Sequence, residues 1–214
     1  MNNVAIVTGY NELYKEMADI TLPNISMYAK RYDMPLYVCT DDIGQIELGI
    51  YRPFNYNKLL YMLKILPQYE WLLWVDIDCV FINHKIDIKK FIDDKFSIIM
   101  GYNYLGHHIE NGVFFVKNDA ISIDFLTKTY YDSLNVPEHM HQGNPYDQGA
   151  MTDVYVQYKN FEWNTKFIHS CLFNNLYCNI HNLSVKDSFV YHCTPCRDFK
   201  ERIGRLKNAL SDVI

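Results

Sequence analysis

Trp71-Leu72-Leu73-Trp74-Val75-Asp76-Ile77-Asp78 is a run of apolar and aromatic residues that ends abruptly in two acids. A strand buried on both faces reads this way, without the polar alternation of a half-exposed one. Side chains alternate across a strand, so continuing it to position 78 puts Asp76 and Asp78 on one side and Ile77 on the other. Two carboxylates side by side at the tip of a buried strand repel each other unless a cation lies between them. A hard divalent metal that also holds a phosphate meets that need. The alternative is a pair of solvated loop acids closing the strand; the hydrophobic lead-in favours the metal.

On either side of this run, strand and helix patterns alternate. Val4–Val7 reads as a first strand entering the turn Thr8-Gly9-Tyr10. Asn11–Arg31 carries Leu13, Met17, Ile20, Ile25 and Tyr28 at roughly helical spacing, with Pro23 kinking or dividing the helix. Leu36–Cys39 reads as a second strand, ending in Thr40-Asp41-Asp42, and Lys58–Leu66 as an amphipathic helix stopped by Pro67. Phe96–Ile99 and Val113–Val116 read as further strands, with a helix over about Ser122–Leu134. His139–Tyr146 reads as a loop, Asp147–Tyr155 as a helix, and Phe199–Leu210 as a basic carboxy-terminal helix. This order predicts one α/β domain over 1–214, with a largely parallel central sheet and ligands at the carboxyl ends of its strands. By that strand-end rule Thr8, Tyr10 and Asp41 are candidates for contact with a nucleotide base or ribose.

At 214 residues the chain holds one full core rather than two. A hydrophobic fraction of 49% and a charged fraction of 21% describe an ordinary globule. The net charge of -5, with no run of Lys and Arg, argues against a nucleic-acid partner. No stretch reaches the length of a membrane span. Met1-Asn2-Asn3 leads directly into the first strand, without a basic leader or cleavage site, so a cytoplasmic location is expected. Six cysteines (Cys39, Cys79, Cys171, Cys178, Cys193 and Cys196) without a secretory signal point to free thiols rather than disulfides. Cys193-Thr194-Pro195-Cys196 has zinc or redox spacing, and Cys171 with Cys178 offers a second pair. That pair lacks the usual spacing, so structural zinc is the weaker reading.

Several local patterns, in order, resemble a known family. They are Lys58 in Tyr56-Asn57-Lys58, the Trp71–Asp78 run, and Asn111-Gly112-Val113-Phe114-Phe115-Val116-Lys117-Asn118. Asp147-Gln148-Gly149-Ala150-Met151, Trp163-Asn164, and His192 followed by Arg197 continue the series. Together they resemble the nucleotide-sugar glycosyltransferases of the GT-A fold, closest to the yeast-type α-galactosyl/mannosyltransferase family that includes plant xylosyltransferases. The glycogenin-like family shares the same order of parts. The chain resembles a trimmed, soluble version such as those of bacteria or large algal viruses, for which the cytoplasm is the host's.

The resemblance implies a residue-by-residue assignment. Asp76, Asp78 and His192 would ligate Mn2+, with Mg2+ as the alternative, since a neutral imidazole shifts an oxygen-rich site towards manganese. For His192 the competing reading is an ordinary strand-end histidine. The donor is expected to be a UDP-sugar, touched by Thr8, Tyr10, Asp41, Lys58, Asp76, Ile77, Arg197 and Lys200. Arg197 and Lys200 would neutralise phosphates, unless they are simply a solvated basic helix start. Lys58 on an exposed helix face would do nothing further. Asn111, Gly112, Asp147 and Gln148 would line the sugar pocket, Gly112 allowing close backbone approach. Asp147 and Gln148 are the catalytic candidates; Asp147 also suits a helix cap. Because Gln is a poor nucleophile, retention by a one-step front-face displacement fits better than a covalent intermediate.

On this assignment 1–110 forms the nucleotide-binding half and 111–214 the donor-sugar and acceptor half. Segment 138–146 would serve a glycan or glycoprotein acceptor. Two other classes stay open. An apolar run ending in Asp-x-Asp also opens haloacid-dehalogenase-type phosphatases, but there it lies near the chain start and is joined by a late acidic pair not found here. A non-catalytic nucleotide-sugar-binding domain is the other.

Overall fold

The computed structural model describes residues 3–103, 108–135, 146–173, 185, 188–194, 196 and 198–214. In chain order the first half holds β1 (Val4–Gly9), α1 (Lys15–Arg31), β2 (Leu36–Cys39), α2 (Ile43–Leu48), α3 (Asn57–Ile65), β3 (Trp71–Val75), β4 (Cys79–Phe81) and β5 (Ile98–Asn103). The second holds β6 (His108–Lys117), α4 (Ala120–Tyr131), α5 (Tyr146–Gln157), α6 (Lys159–Asn164), β7 (Thr165–His169), α7 (Ser170–Phe173), β8 (Val190–His192) and α8 (Phe199–Leu210).

Six strands form one mixed sheet in the order β2-β1-β3-β6-β5-β7. β1 is parallel to β2 and β3, and β7 is parallel to β5. β6 alone runs antiparallel, against both β3 and β5. β3 is buried along its whole length, as a strand covered on both faces must be. Trp71, Leu73 and Val75 pack with Ile25 and Tyr28 of α1. Leu72 and Trp74 pack with residues of α3, α4 and α5 on the other face. The result is the expected α/β layering, with strand ends gathered at one edge.

Three local expectations are corrected. The first is the strand through Asp78. β3 stops at Val75, and the Cys79 amide donates to the Asp76 carbonyl at 3.0 Å, closing a tight turn into β4. The side of each acid is therefore set by the turn and not by strand alternation. The second is a division of the helix at Pro23, which instead lies inside an unbroken α1. The proline and Asp19, four residues earlier, both face solvent rather than the core. The third is the Phe96–Ile99 strand, which runs instead from Ile98 to Asn103. Val113–Val116 is the centre of the longer β6. Of the loop expected over His139–Tyr146, residues 139–145 lie outside the described residues, while Tyr146 opens α5.

The turn after β3 is held by a polar stripe on α1. Thr21, Asn24 and Tyr28 are fully or almost fully buried and spaced along one helical face. The Thr21 hydroxyl donates to the Ile77 carbonyl at 2.6 Å. The Asn24 amide accepts from Phe81 N at 2.8 Å and donates to Phe81 O at 3.0 Å, pairing with β4 as a strand would. The Tyr28 hydroxyl donates to the Ile86 carbonyl at 2.7 Å. Asn24→Ala leaves both Phe81 backbone groups buried and unpaired. It should lower the unfolding free energy by about 2 kcal/mol. The check is a urea titration, in which an unchanged midpoint would deny Asn24 this role.

Candidate active site

Where the chain leaves β3 and β1, a cleft of about 370 Å³ opens, lined by residues from both halves of the sequence. Its floor holds three carboxylates. Asp76 and Asp78 come from the turn after β3, and Asp147 from the first turn of α5. Lys58 reaches two of them from the first turn of α3. Its ammonium is 3.1 Å from Asp76 Oδ1 and 2.7 Å from Asp147 Oδ2. A lysine near a helix N-terminus opposes the helix dipole, and Lys58 is buried. Both penalties are met by the two acids. Burial alone pulls the Lys58 pKa down, but Asp147 and Asp76 outweigh it and hold it above the ordinary value.

Each carboxylate has further partners. The Trp74 indole N–H donates to Asp76 Oδ1 at 2.6 Å, and the Asn111 amide donates to Asp147 Oδ2 at 2.6 Å. His192 ends β8, and its Nε2 lies 3.2 Å from Asp78 Oδ1 and 3.9 Å from Asp76 Oδ2. Arg202, in the second turn of α8, places Nη1 3.6 Å from Asp78 Oδ2. Burial pushes Asp76 up, Lys58 pulls it back, and Asp78 pushes again, leaving it above the ordinary carboxylate value. For Asp78 burial is overcome by His192 and Arg202, and its carboxyl sits well below that value. His192 is the mirror case: burial lowers it, but Asp78 and Asp76 raise it further.

The backbone makes room for this arrangement. In the β5–β6 pairing Met100 opposes Phe114 while Gly101 opposes Glu110, so Asn111, Gly112 and Val113 have no partner on β5. That bulge frees the Asn111 side chain for Asp147, and the Gly112 carbonyl accepts from Asp76 N at 2.7 Å. A Cβ on Gly112 would lie 2.4 Å from His192 Cε1 and 2.5 Å from its Nδ1. The close approach expected at Gly112 is thus made by the His192 ring. Nδ1 is buried without a hydrogen-bond partner, while Nε2 faces the two acids. Two carboxylates and an outward imidazole nitrogen around one point suit a hard or borderline divalent cation.

Asp76, Ile77, Asp78, Lys58, Asn111, Asp147, Gln148, His192 and Tyr10 all line the cleft. The Gln148 amide donates to the Ile109 carbonyl at 2.7 Å. Three other candidates stand apart. Thr8 is fully buried within β1, and the cleft's edge is formed by the following Gly9 and Tyr10. Asp41 is exposed, its backbone paired with the Tyr61 hydroxyl, and Tyr61 takes the place on the cleft wall. Lys200 is exposed on α8. Arg197 lies outside the described residues, as do Cys178 and segment 138–145, and nothing is described of the Cys171 side chain. The described thiols of Cys39, Cys79, Cys193 and Cys196 are free and buried. Burial, with Asp78 and Asp76 close by, pushes the Cys79 thiol well up.

Two functional residues have no counterpart among the sequence expectations. Trp74 reads from sequence as core, yet its indole is a polar handle on Asp76. Arg202 was legible in principle. Asp198 caps α8, accepting from Glu201 N at 2.7 Å, and an Asp-x-x-Glu capping signature fixes the helix start. From that start Arg202 falls one turn from Asp198, whereas Lys200 falls on the solvent side.

Residues 47–200 match the family model described as "Protein of unknown function, DUF273". No curated protein matches the chain significantly in sequence. Among solved structures, a glycosyltransferase involved in the glycosylation of the major capsid of PBCV-1 aligns with a TM-score of 0.73 at 17% identity, covering 96% of this chain and 98% of that one. The galactosyltransferase LgtC, solved with donor and acceptor sugar analogs, aligns with a TM-score of 0.58 at 13% identity, covering 97% and 95%. Mouse xyloside xylosyltransferase 1 aligns with a TM-score of 0.51 at 10% identity, covering 90% and 99%. At such identities the likeness is one of fold, and the fold is that of GT-A glycosyltransferases, as the resemblance implied. Among the described residues no helix is long and apolar enough to cross a membrane.

Replacing Lys58 with Met leaves Asp76 and Asp147 facing each other without their shared cation. The variant should lose about 3–5 kcal/mol of stability in urea unfolding. Adding Asp147→Asn should restore part of that loss, and strictly additive effects would show that the two groups do not act as one network.

Proposed function

The chain belongs to the DUF273 family, and we propose that it is a metal-dependent glycosyltransferase that moves a sugar from a UDP-sugar to a glycan or glycoprotein acceptor with retention of anomeric configuration. The observation that carries this reading is the convergence of Asp76, Asp78 and His192 at the strand ends of a GT-A sheet, one lysine away from Asp147. Residues 1–110 serve the nucleotide and 111–214 the sugar and acceptor.

Asp76, Asp78 and His192 would hold Mn2+, or Mg2+ in its place, and such an ion supplies positive charge against the departing diphosphate. Arg202 adds a fixed guanidinium beside Asp78, suited to phosphate oxygens. Tyr10 and Tyr61 offer aromatic walls on the nucleotide side of the cleft. Lys58 and Asn111 hold Asp147 in one orientation beside the sugar position.

Retention is carried over from the family resemblance, and the occupancy of the acids supports a front-face displacement over a covalent intermediate. The described carboxylates of the cleft are Asp76, Asp78 and Asp147, and each is held by a cation. Asp147, tied to Lys58 and Asn111, is poorly free to attack an anomeric carbon, and Gln148 is neutral. The bond to the leaving phosphate breaks as the acceptor oxygen bonds on the same face, and the phosphate oxygen takes the acceptor proton. Gln148, anchored through the Ile109 carbonyl and lining the cleft, is the neutral polar group assigned to the reacting centre.

Mass-detected turnover of UDP-sugars with Mn2+ separates the classes. Free sugar and UDP support the transferase reading, inorganic phosphate marks a phosphatase, and no product marks a binding module. Asp78→Ala should abolish Mn2+-dependent nucleotide-sugar binding and hydrolysis with circular dichroism unchanged; retained turnover removes the metal role. Gln148→Ala should lower kcat by roughly a hundredfold, as loss of a preorganised polar contact does, and leave donor KM nearly unchanged. A normal kcat would place the sugar elsewhere.

A further inference from the structure

One donor atom beside this ion site plays no part in the reaction above. Cys79 is the direct partner of His192 in the β4–β8 pairing, so the two side chains share a face of that ribbon. Asp78 precedes Cys79 and meets the same ring from the turn, at 3.2 Å. Ligand atoms of Asp78, Cys79 and His192 all lie within 4.8 Å of one another. Among the described residues the sulfur's hydrogen-bond contact is a long one, 3.9 Å, to the Gly112 carbonyl. Zinc bonds of about 2.0 Å to N or O and 2.3 Å to S space tetrahedral donors roughly 3.3–3.8 Å apart, so a small inward shift of rotamers completes three corners. Asp76 Oδ2, 3.9 Å from His192 Nε2, or a water fills the fourth.

We propose that Asp78, Cys79 and His192 form a second coordination mode for a thiophilic divalent cation, Zn2+ or Cd2+, which displaces the hard ion. Hard ions favour oxygen and gain little from a thiol, whereas soft ones gain most from it. Both modes use Asp78 and His192, so one excludes the other. On binding, the Cys79 S–H bond breaks, the sulfur keeps the electron pair and donates it to the cation, and the proton leaves to buffer. Binding stands without the transferase reading; the consequent inhibition by Zn2+ rests on it.

Titration of the full chain with CdCl2 tests the proposal through the thiolate-to-cadmium charge-transfer absorption. The band should saturate at one ion per chain and be removed by Zn2+. Cys79→Ser and Cys79→Ala should both lose it and bind Cd2+ at least tenfold more weakly, the scale of a lost ligand-shell group. Both should keep native circular dichroism and unchanged Mn2+ affinity by electron paramagnetic resonance. Cys193→Ser and Cys196→Ser should keep the band. Absence of the band in the native chain, its survival in both Cys79 variants, or its loss in a Cys193 or Cys196 variant overturns the assignment. If native turnover is absent while the Cys79-dependent band is present, the transferase reading fails and this site stands.

Discussion

Three carboxylates crowded at the carboxyl end of a buried strand are met by Lys58, His192 and Arg202, and the surrounding architecture serves that balance. A buried charge left unpaired costs several kcal/mol, more than most single contacts contribute. Each partner of the acids arrives on a separate element: α3, β8 and α8. Their convergence ties the two halves of the chain together at the cleft. His192 Nε2 lies where Asp76 and Asp78 meet, 3.9 Å and 3.2 Å from their carboxylates.

Backbone geometry does the positioning. The turn after β3 is gripped by Thr21 and Asn24 from below, so the two acids are presented by a clamped turn rather than a free loop. The β6 bulge supplies Asn111 to Asp147 and brings Gly112 under the His192 ring. Any side chain at Gly112 displaces that ring, so the absence of a Cβ decides how His192 meets the two acids.

Much of this was legible in the residues. The Trp71–Val75 run announces a strand covered on both faces, and α1 and α3 cover the two sides. The strand-helix order announces a mostly parallel sheet with its site at the strand ends. Asp76 and Asp78 stand out because they end an apolar run, whereas Asp147 follows a polar stretch and is marked only by the family resemblance. Lys58 was ambiguous, since a lysine in an amphipathic helix usually faces water and only the position of Asp147 buries it. Arg202 was hidden by choosing the basic residues nearest His192 in sequence, where the phase of α8 decides which one turns inwards.

Sequence alone determined the strands β1, β2 and β3 and the centre of β6, and the helices α1, α3, α4, α5 and α8, because their patterns are long or strongly periodic; the short β4, β7, α2, α6 and α7 leave no such pattern. It also determined that acids end the central strand, a fact of composition. Only the tertiary structure decided which cation meets which acid: Lys58 with Asp147, His192 with Asp78 and Cys79, Arg202 with Asp78. Those pairs join residues 89 (58 to 147) to 124 (78 to 202) positions apart. Their geometry is set by helix phase, by a bulge and by a glycine's missing side chain, none of which leaves a local pattern in the chain.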